Sequence, residues 1–148
     1  MRRSDPHGAT TIVAAVRSSG LVYLAFAPEA EREALLSLIT DADQPPHRQL
    51  REPTGIRPLL GVIGQDGYAF SPDAGRERSV SVPILIDGQV RAVLLMMYMS
   101  RVLKGPAIIK TFVPLLKALS CEFTQRAETA RAWRQAETMP EPQRLAAH

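Results

Sequence analysis

The chain is poor in the residues that cross-linking, metal binding and hydrolytic chemistry draw on. Its 148 residues include one cysteine and three histidines, and aromatic side chains make up 5%. A single cysteine, Cys121, excludes an internal disulfide framework and fits a reducing compartment. With no histidine motif beside it, Cys121 reads as a small helix residue that packs, not as a reactive thiol. His7, His47 and His148 are far apart, none next to a cysteine or in an HxxxH arrangement, so metal-ligand spacing is missing and no metal or cofactor is expected. No GxSxG turn, P-loop or GxGxxG opening a helix occurs either, which removes the motif basis for a serine nucleophile or a phosphate cradle. Asp73 and Glu77 form no convincing acid/base pair, because Arg76 and Arg78 beside them make local ion pairs the simpler reading. The chain is therefore expected not to be an enzyme.

Other absences bear on partners and location. No run reaches the roughly 18 uncharged apolar residues of a membrane span, and the start MRRSDPHG lacks the apolar centre of a secretory signal. A cytoplasmic protein with no membrane partner is expected. The net charge is +3, but the basic residues are dispersed, at Arg2, Arg3, Arg48, Arg51, Arg57, Arg76, Arg78, Arg126, Arg131 and Arg134, and those in helices mix with acids as on a solvated face. Basic residues do not interleave with aromatics: Tyr23, Phe26, Tyr68, Phe70 and Tyr98 lie in apolar surroundings and read as core. No helix-turn-helix followed by a basic recognition helix is present, so direct DNA reading by this segment is not expected. There is no internal repeat and no low-complexity block.

What the chain does have is 45% hydrophobic residues, enough for one domain with a real core. The most informative stretch runs from Gly67 to Ser100. Gly67 suits the left-handed position that ends a helix, and Tyr68-Ala69-Phe70 leaves it as an extended segment. Val80, Val82, Ile84 and Ile86 alternate with Ser79, Ser81, Pro83 and Leu85, the period-two pattern of a strand with one more apolar face. Asp87-Gly88 matches a two-residue hairpin turn, whose central residues need positive φ. The returning strand, Gln89 to Met99, is continuously apolar from Ala92, which predicts burial on both faces by helices or another subunit.

Helices flank this hairpin. Pro28 opens PEAEREALLSLI, with Glu29, Glu31 and Glu33 near the positive end of the helix dipole, and Leu35, Leu36 and Ile39 share one face. The segment DADQPPHRQLREP, with Pro45, Pro46 and Pro53, reads as a loop. A second helix spans Ile56 to Asp66, weakened by Pro58, Gly61 and Gly64. Pro106 suits the first turn of a long helix in which Phe112, Leu115, Leu116, Leu119 and Phe123 recur at helical spacing, and Pro114 kinks it or marks its true start. From Gln125 the pattern turns polar, and composition around Met139 to Gln143 signals a frayed tail. The order is helix, helix, strand, strand pair, long helix: an α+β domain with an antiparallel sheet. Two or three strands leave an edge unpaired, so either Thr10 to Val16 adds a strand or the pairing partners lie outside this chain.

Several blocks taken together, SSGLVYLAFAPEAEREALL, REP with a spacer to QDGYAF, SVSVPILIDGQVRAVLLMMYMS and TFVPLLKALSCEF, resemble the C-terminal effector-binding domain of the IclR family of bacterial transcription regulators. The match covers Thr11 to Arg126, and the REP segment and LMMYMS ending look closest to regulators of phenylpropionate-type aromatic catabolism. The resemblance implies a GAF-like antiparallel sheet flanked by helices and incomplete at its N-terminal side. It divides the chain into an irregular segment 1–10, a sensor domain 11–134 and a flexible tail 135–148. It also implies a small-molecule effector as ligand, homodimers or tetramers, and DNA contact only through a separate winged helix-turn-helix domain. The family's winged domain and first sensor strands have no counterpart in this sequence, which is expected to be a shortened product or a piece of a longer chain.

Carried over residue by residue, the family's effector pocket falls on Ser18 and Ser19, Ser71, Ser79, Leu95 and Met97. Relatives that bind small oxoacids often carry hydroxyls at the last two positions. The apolar pair here implies a bulkier, aromatic carboxylic acid, with serine hydroxyls or backbone N–H groups holding its carboxylate. Independently of the resemblance, Leu95, Met97 and Met99 share one strand face by their two-residue spacing, and such a stripe reads as core; only with the resemblance does a ligand-lining role for at least one of them stand level with that reading. Arg76 and Arg78 read as solvated loop charges, with a contact to an acidic ligand as the other possibility. The alternative to a sensor is a dimerisation module without a working pocket, joined through the sheet edge or the Phe112–Phe123 helix face.

Overall fold

The computed structural model describes residues 17–41, 55–71 and 75–138. Sequence expectations for Thr10 to Val16, for the Pro45–Pro53 loop, for Asp73 and for the tail beyond Thr138 fall outside the described residues, as do all three histidines. The elements are α1 (Ser18–Phe26), α2 (Glu29–Asp41), α3 (Ile56–Asp66), β1 (Ala69–Phe70), β2 (Glu77–Ile86), β3 (Gln89–Met99), α4 (Gly105–Ala107), a π-helical segment (Ile108–Phe112) and α5 (Val113–Thr138). The strands form one antiparallel sheet in the order β1-β2-β3, so the class is α+β with an open edge at β3. None of the described helices is long and apolar enough to cross a membrane.

Helix α1 is the element the sequence pattern did not indicate. Its residues SSGLVYLAF carry β-branched and aromatic side chains with no capping side chain at Arg17, and Ser18, Gly20, Leu21, Val22 and Leu24 are all buried. A helix apolar around most of its circumference has no amphipathic period to read and is held by burial instead of propensity. It packs with Leu36 of α2, with Ile56, Leu60 and Ile63 of α3 and with Ala69 in one core cluster. Leu60 and Ile63 recur at helical spacing from Ile56, and Gly67 ends α3 at φ 74° with its N–H donating to the Ile63 carbonyl at 2.8 Å, as its position predicts.

The hairpin forms as the sequence indicates. Asp87 and Gly88 have φ 53° and 72°, the type I′ geometry that matches strand twist. Val80 faces Met96 and Val82 faces Leu94, whereas Ser79 faces Met97 and Ser81 faces Leu95. The register shifts between Ile84 and Leu85, because Ile84 pairs with Ala92 and Leu85 with Val90, leaving Arg91 as the extra residue of a bulge. Pro83 is tolerated in the middle strand because β1 pairs only with Val80 and Ser81.

Each sheet face meets a different layer. Val80, Val82 and Tyr98 pack with Ile108, Val113 and Leu116 in a second core cluster, while the serine face turns to α1. Ser120 and Thr124 of α5 donate to the Pro83 and Leu85 carbonyls at 2.5 and 2.7 Å, fastening the helix to β2. Pro114 lies one residue inside α5, directly after the π-helical segment. Pro114 has no N–H to donate to the helical ladder, and it stands where the wider π turn gives way to the regular helix.

Four expectations are corrected. β3 is not buried on both faces: Leu95, Met97 and Met99 are exposed, because α1 covers only part of that face and no described element lies beyond β3. The apolar stripe of α5 is split, with Leu116 buried but Leu115, Leu119 and Phe123 exposed, since a helix on a three-stranded sheet turns only one narrow face to it. Cys121 is exposed, pointing away from the packed side. Arg78 is not a solvated loop charge: it lies within β2 and is half-buried.

Candidate ligand site

The loop after β1, the first half of β2, the second half of β3 and the start of α1 meet at one end of the sheet. Antiparallel pairing puts directly opposed residues on the same face, so the pairs Ser79–Met97 and Ser81–Leu95 line up serines beside apolar side chains on the face turned toward α1. Ser71 continues this arrangement at the end of β1: its N–H donates to the Ser79 carbonyl at 2.8 Å, and the Ser79 N–H donates to Ser71 Oγ at 3.1 Å.

A cavity of about 250 Å³ opens there, lined by Arg17, Ser71, Glu77, Arg78, Ser79, Leu95 and Met97. Four of the six residues singled out from the sequence, Ser71, Ser79, Leu95 and Met97, are brought together on it. Ser18 lies beneath, fully buried, with its Oγ 2.7 Å from both Ser79 Oγ and Ser81 Oγ. Ser19 is half-buried on α1 and is not among the lining residues.

The three hydroxyls form a short relay. Each serine has one proton and two lone pairs, and in both contacts either oxygen can be the donor. Ser79 can therefore present either a proton or a lone pair to the cavity. Arg17 supplies a cation at the opening turn of α1, where unpaired N–H groups add positive potential. Glu77 stands on the same rim. Arg78 Nη2 donates to the Ser71 carbonyl at 3.2 Å and steadies the β1 end, while its Nε is buried without a hydrogen-bond partner among the described residues. Its register partner Tyr98 faces α5, so the Arg78 side chain starts from the sheet face opposite the serines.

Sequence reasoning missed Arg17 and Ser81, and it read Glu77 only as a partner in local ion pairs. Ser81 was legible, since it alternates with Val80 and Val82 and so shares a face with Ser79. Arg17 was not, because its place depends on α1 being a helix docked on the sheet. Among the described residues no group of three His, Cys, Asp or Glu side chains is placed to hold a metal ion.

No protein-family model matches the chain. Its fold does match solved structures. A transcriptional regulator from Rhodococcus sp. RHA1 superposes with a TM-score of 0.66 at 20% identity, over 79% of this chain and 49% of that one. The inducer-binding domain of the PobR transcription factor from Acinetobacter, a double mutant in complex with 3-hydroxybenzoic acid, gives 0.61 at 21% identity over 75% of this chain and 65% of that one. An IclR homolog from Microbacterium hydrocarbonoxydans, complexed with 4-hydroxybenzoate, gives 0.58 at 24% identity over 76% and 45%. The chain thus spans about half the length of the regulators it matches, and a larger share of the isolated inducer-binding domain. Its described residues have the fold of the effector-binding domain of IclR-type transcription regulators, as the sequence blocks implied.

Proposed function

We propose that this chain is the ligand-sensing and association domain of an IclR-type regulator, and that the cavity at the Ser79–Met97 end of the sheet is its effector site. The observation that carries the proposal is the convergence of Ser71, Ser79, Leu95 and Met97, distant in sequence, on one cavity of mixed lining. A concave site with an apolar wall and a few convergent polar groups is the usual form of a small-molecule pocket. Its volume of about 250 Å³ lies just under the roughly 300–1,000 Å³ typical of drug-sized ligands, which suits a compact metabolite.

The ligand is a small aromatic carboxylic acid. Its carboxylate meets Arg17, the opening amides of α1 and the Ser71 and Ser79 hydroxyls, and its ring lies against Leu95 and Met97. The hydroxybenzoate complexes of two proteins with this fold support that class. Occupancy favours one arrangement of associated copies over another, and a winged helix-turn-helix domain outside this sequence reads the change on DNA in the cytoplasm. Sensing of this kind requires no catalysis, metal or cofactor.

A thermal-shift series with hydroxybenzoates, phenylpropionates, phenylacetates and small oxoacids tests this, because a ligand that binds only the folded state raises its melting temperature. A concentration-dependent rise for aromatic acids is expected. A cooperative transition that none of them moves overturns it in favour of an association module without a working pocket, the reading that the 60% exposure of Met97 favours.

A further inference from the structure

Helix α5 carries a second stripe of side chains that no described element covers. Its sheet-facing side is occupied: Val113 and Leu116 are in the core, Ser120 and Thr124 hydrogen-bond β2, and Arg131 pairs with Asp87. At about 100° per residue, Leu115, Leu119 and Trp133 fall together roughly a third of a turn or more away, and Phe123 lies at the edge of the stripe, next to Leu116. Exposures are 56% for Leu115, 46% for Leu119, 69% for Trp133 and 49% for Phe123. Glu122 and Arg126 lie on the same stripe, joined by an ion pair at 2.5 Å and mostly exposed. The steps from Leu115 through Leu119, Glu122 and Arg126 to Trp133 are of four, three, four and seven residues, the spacing of a coiled-coil seam. A cavity of about 210 Å³ lies among Leu119, Glu122, Phe123 and Arg126.

The charge order on the stripe selects its occupant. Glu122 and Arg126 are symmetric about position 124, and so are Leu115 and Trp133. A second α5 lying antiparallel, with a two-fold axis at that level, sets each Glu122 against the partner's Arg126 and each Leu115 against the partner's Trp133. A parallel copy in register would instead oppose like charges. We propose that this stripe is the surface on which two copies of the chain associate through antiparallel α5 helices, Phe123 of each entering the other's Leu119–Arg126 cavity. An isologous contact of this kind closes at two copies. It deepens the association half of the proposed function, on which it rests, and does not involve the ligand cavity.

Sedimentation equilibrium of the full chain over about 1–100 µM tests the surface with Glu122→Arg and Arg126→Glu. Both positions are exposed, and circular dichroism checks that each variant keeps its helix content. The wild-type chain is expected to dimerise. Each variant alone, which opposes like charges across the two-fold, is expected to associate about tenfold or more weakly. Their equimolar mixture, in which every opposed pair is again an acid and a base, is expected to form a dimer at least as tight as wild type. Variants that each dimerise like wild type overturn this surface and leave association to another one. A wild-type chain monomeric at the highest concentration overturns both this surface and the association half of the proposed function, while the thermal-shift series judges the ligand half separately.

Discussion

Ser18 Oγ and Ser79 Oγ, 61 residues apart in the chain, lie 2.7 Å from each other, and this contact ties the first turn of α1 to the strand that lines the cavity. Ser18 also reaches Ser81 at 2.7 Å, with both side chains fully buried. The docking of α1 on the sheet thus has a polar pin within an otherwise apolar contact.

Ser18→Ala removes the middle hydroxyl and leaves Ser81 buried without that partner. A buried polar group that loses its hydrogen bond costs about 1–3 kcal/mol. Urea unfolding should show a loss in that range, whereas Ser79→Ala, at a half-buried end of the relay, should cost less and weaken ligand binding more. Equal stability losses for the two would mean that the relay is not formed in solution.

Leu95→Ser should lower affinity for an aromatic acid about tenfold, or 1.4 kcal/mol, and leave the fold intact, since Leu95 is 39% exposed. Calorimetric titration of whichever acid raises the melting temperature reads the change. An unaltered dissociation constant removes Leu95 from the ligand wall.

Leu116 and Leu115 are adjacent in sequence but 7% and 56% exposed. Leu116→Asp buries a charge against Val80, Val82 and Ile108 and should unfold the domain. Leu115→Asp should keep a native circular dichroism spectrum and weaken association. Identical behaviour of the two variants would contradict the face that α5 turns to the sheet.

Glu33 of α2 accepts two hydrogen bonds from Arg57 of α3, at 2.5 and 2.6 Å. The bonds from Arg57 hold the Glu33 carboxyl below its ordinary value of 4.5. Because the folded value is the lower one, the contribution of this pair is present above the unfolded value and is lost as pH falls through the folded one. NMR titration of the Glu33 carboxyl should show its midpoint below 4.5 in the wild-type chain and a rise toward that value in Arg57→Gln. Coincident titrations would show that the two helices are not joined by this pair in solution.

Local codes made part of this fold readable. Gly67, Asp87-Gly88 and Pro28 act through backbone geometry that depends on immediate neighbours, and all three mark the ends of elements where they should. The alternation of Val80 and Val82 with Ser79 and Ser81 likewise placed two chemistries on two faces of one strand. Helix α1 escaped because its burial comes from four elements that approach it from distant parts of the chain, leaving no period in its own residues.

Spacing along the chain made the α+β class legible, together with the hairpin, its turn and the side chains of β2 and β3 that share a face, because each follows from intervals of one or two residues along a strand or three and four along a helix. How far those faces are covered was set by packing between elements distant in the chain. It left Leu95, Met97 and Met99 open at the β3 edge, put Leu116 inside and Leu115 outside, and brought Arg17 to the rim of the cavity. Burial depends on what the rest of the chain lays over a face, and a pattern of apolar residues records only that a face is apolar.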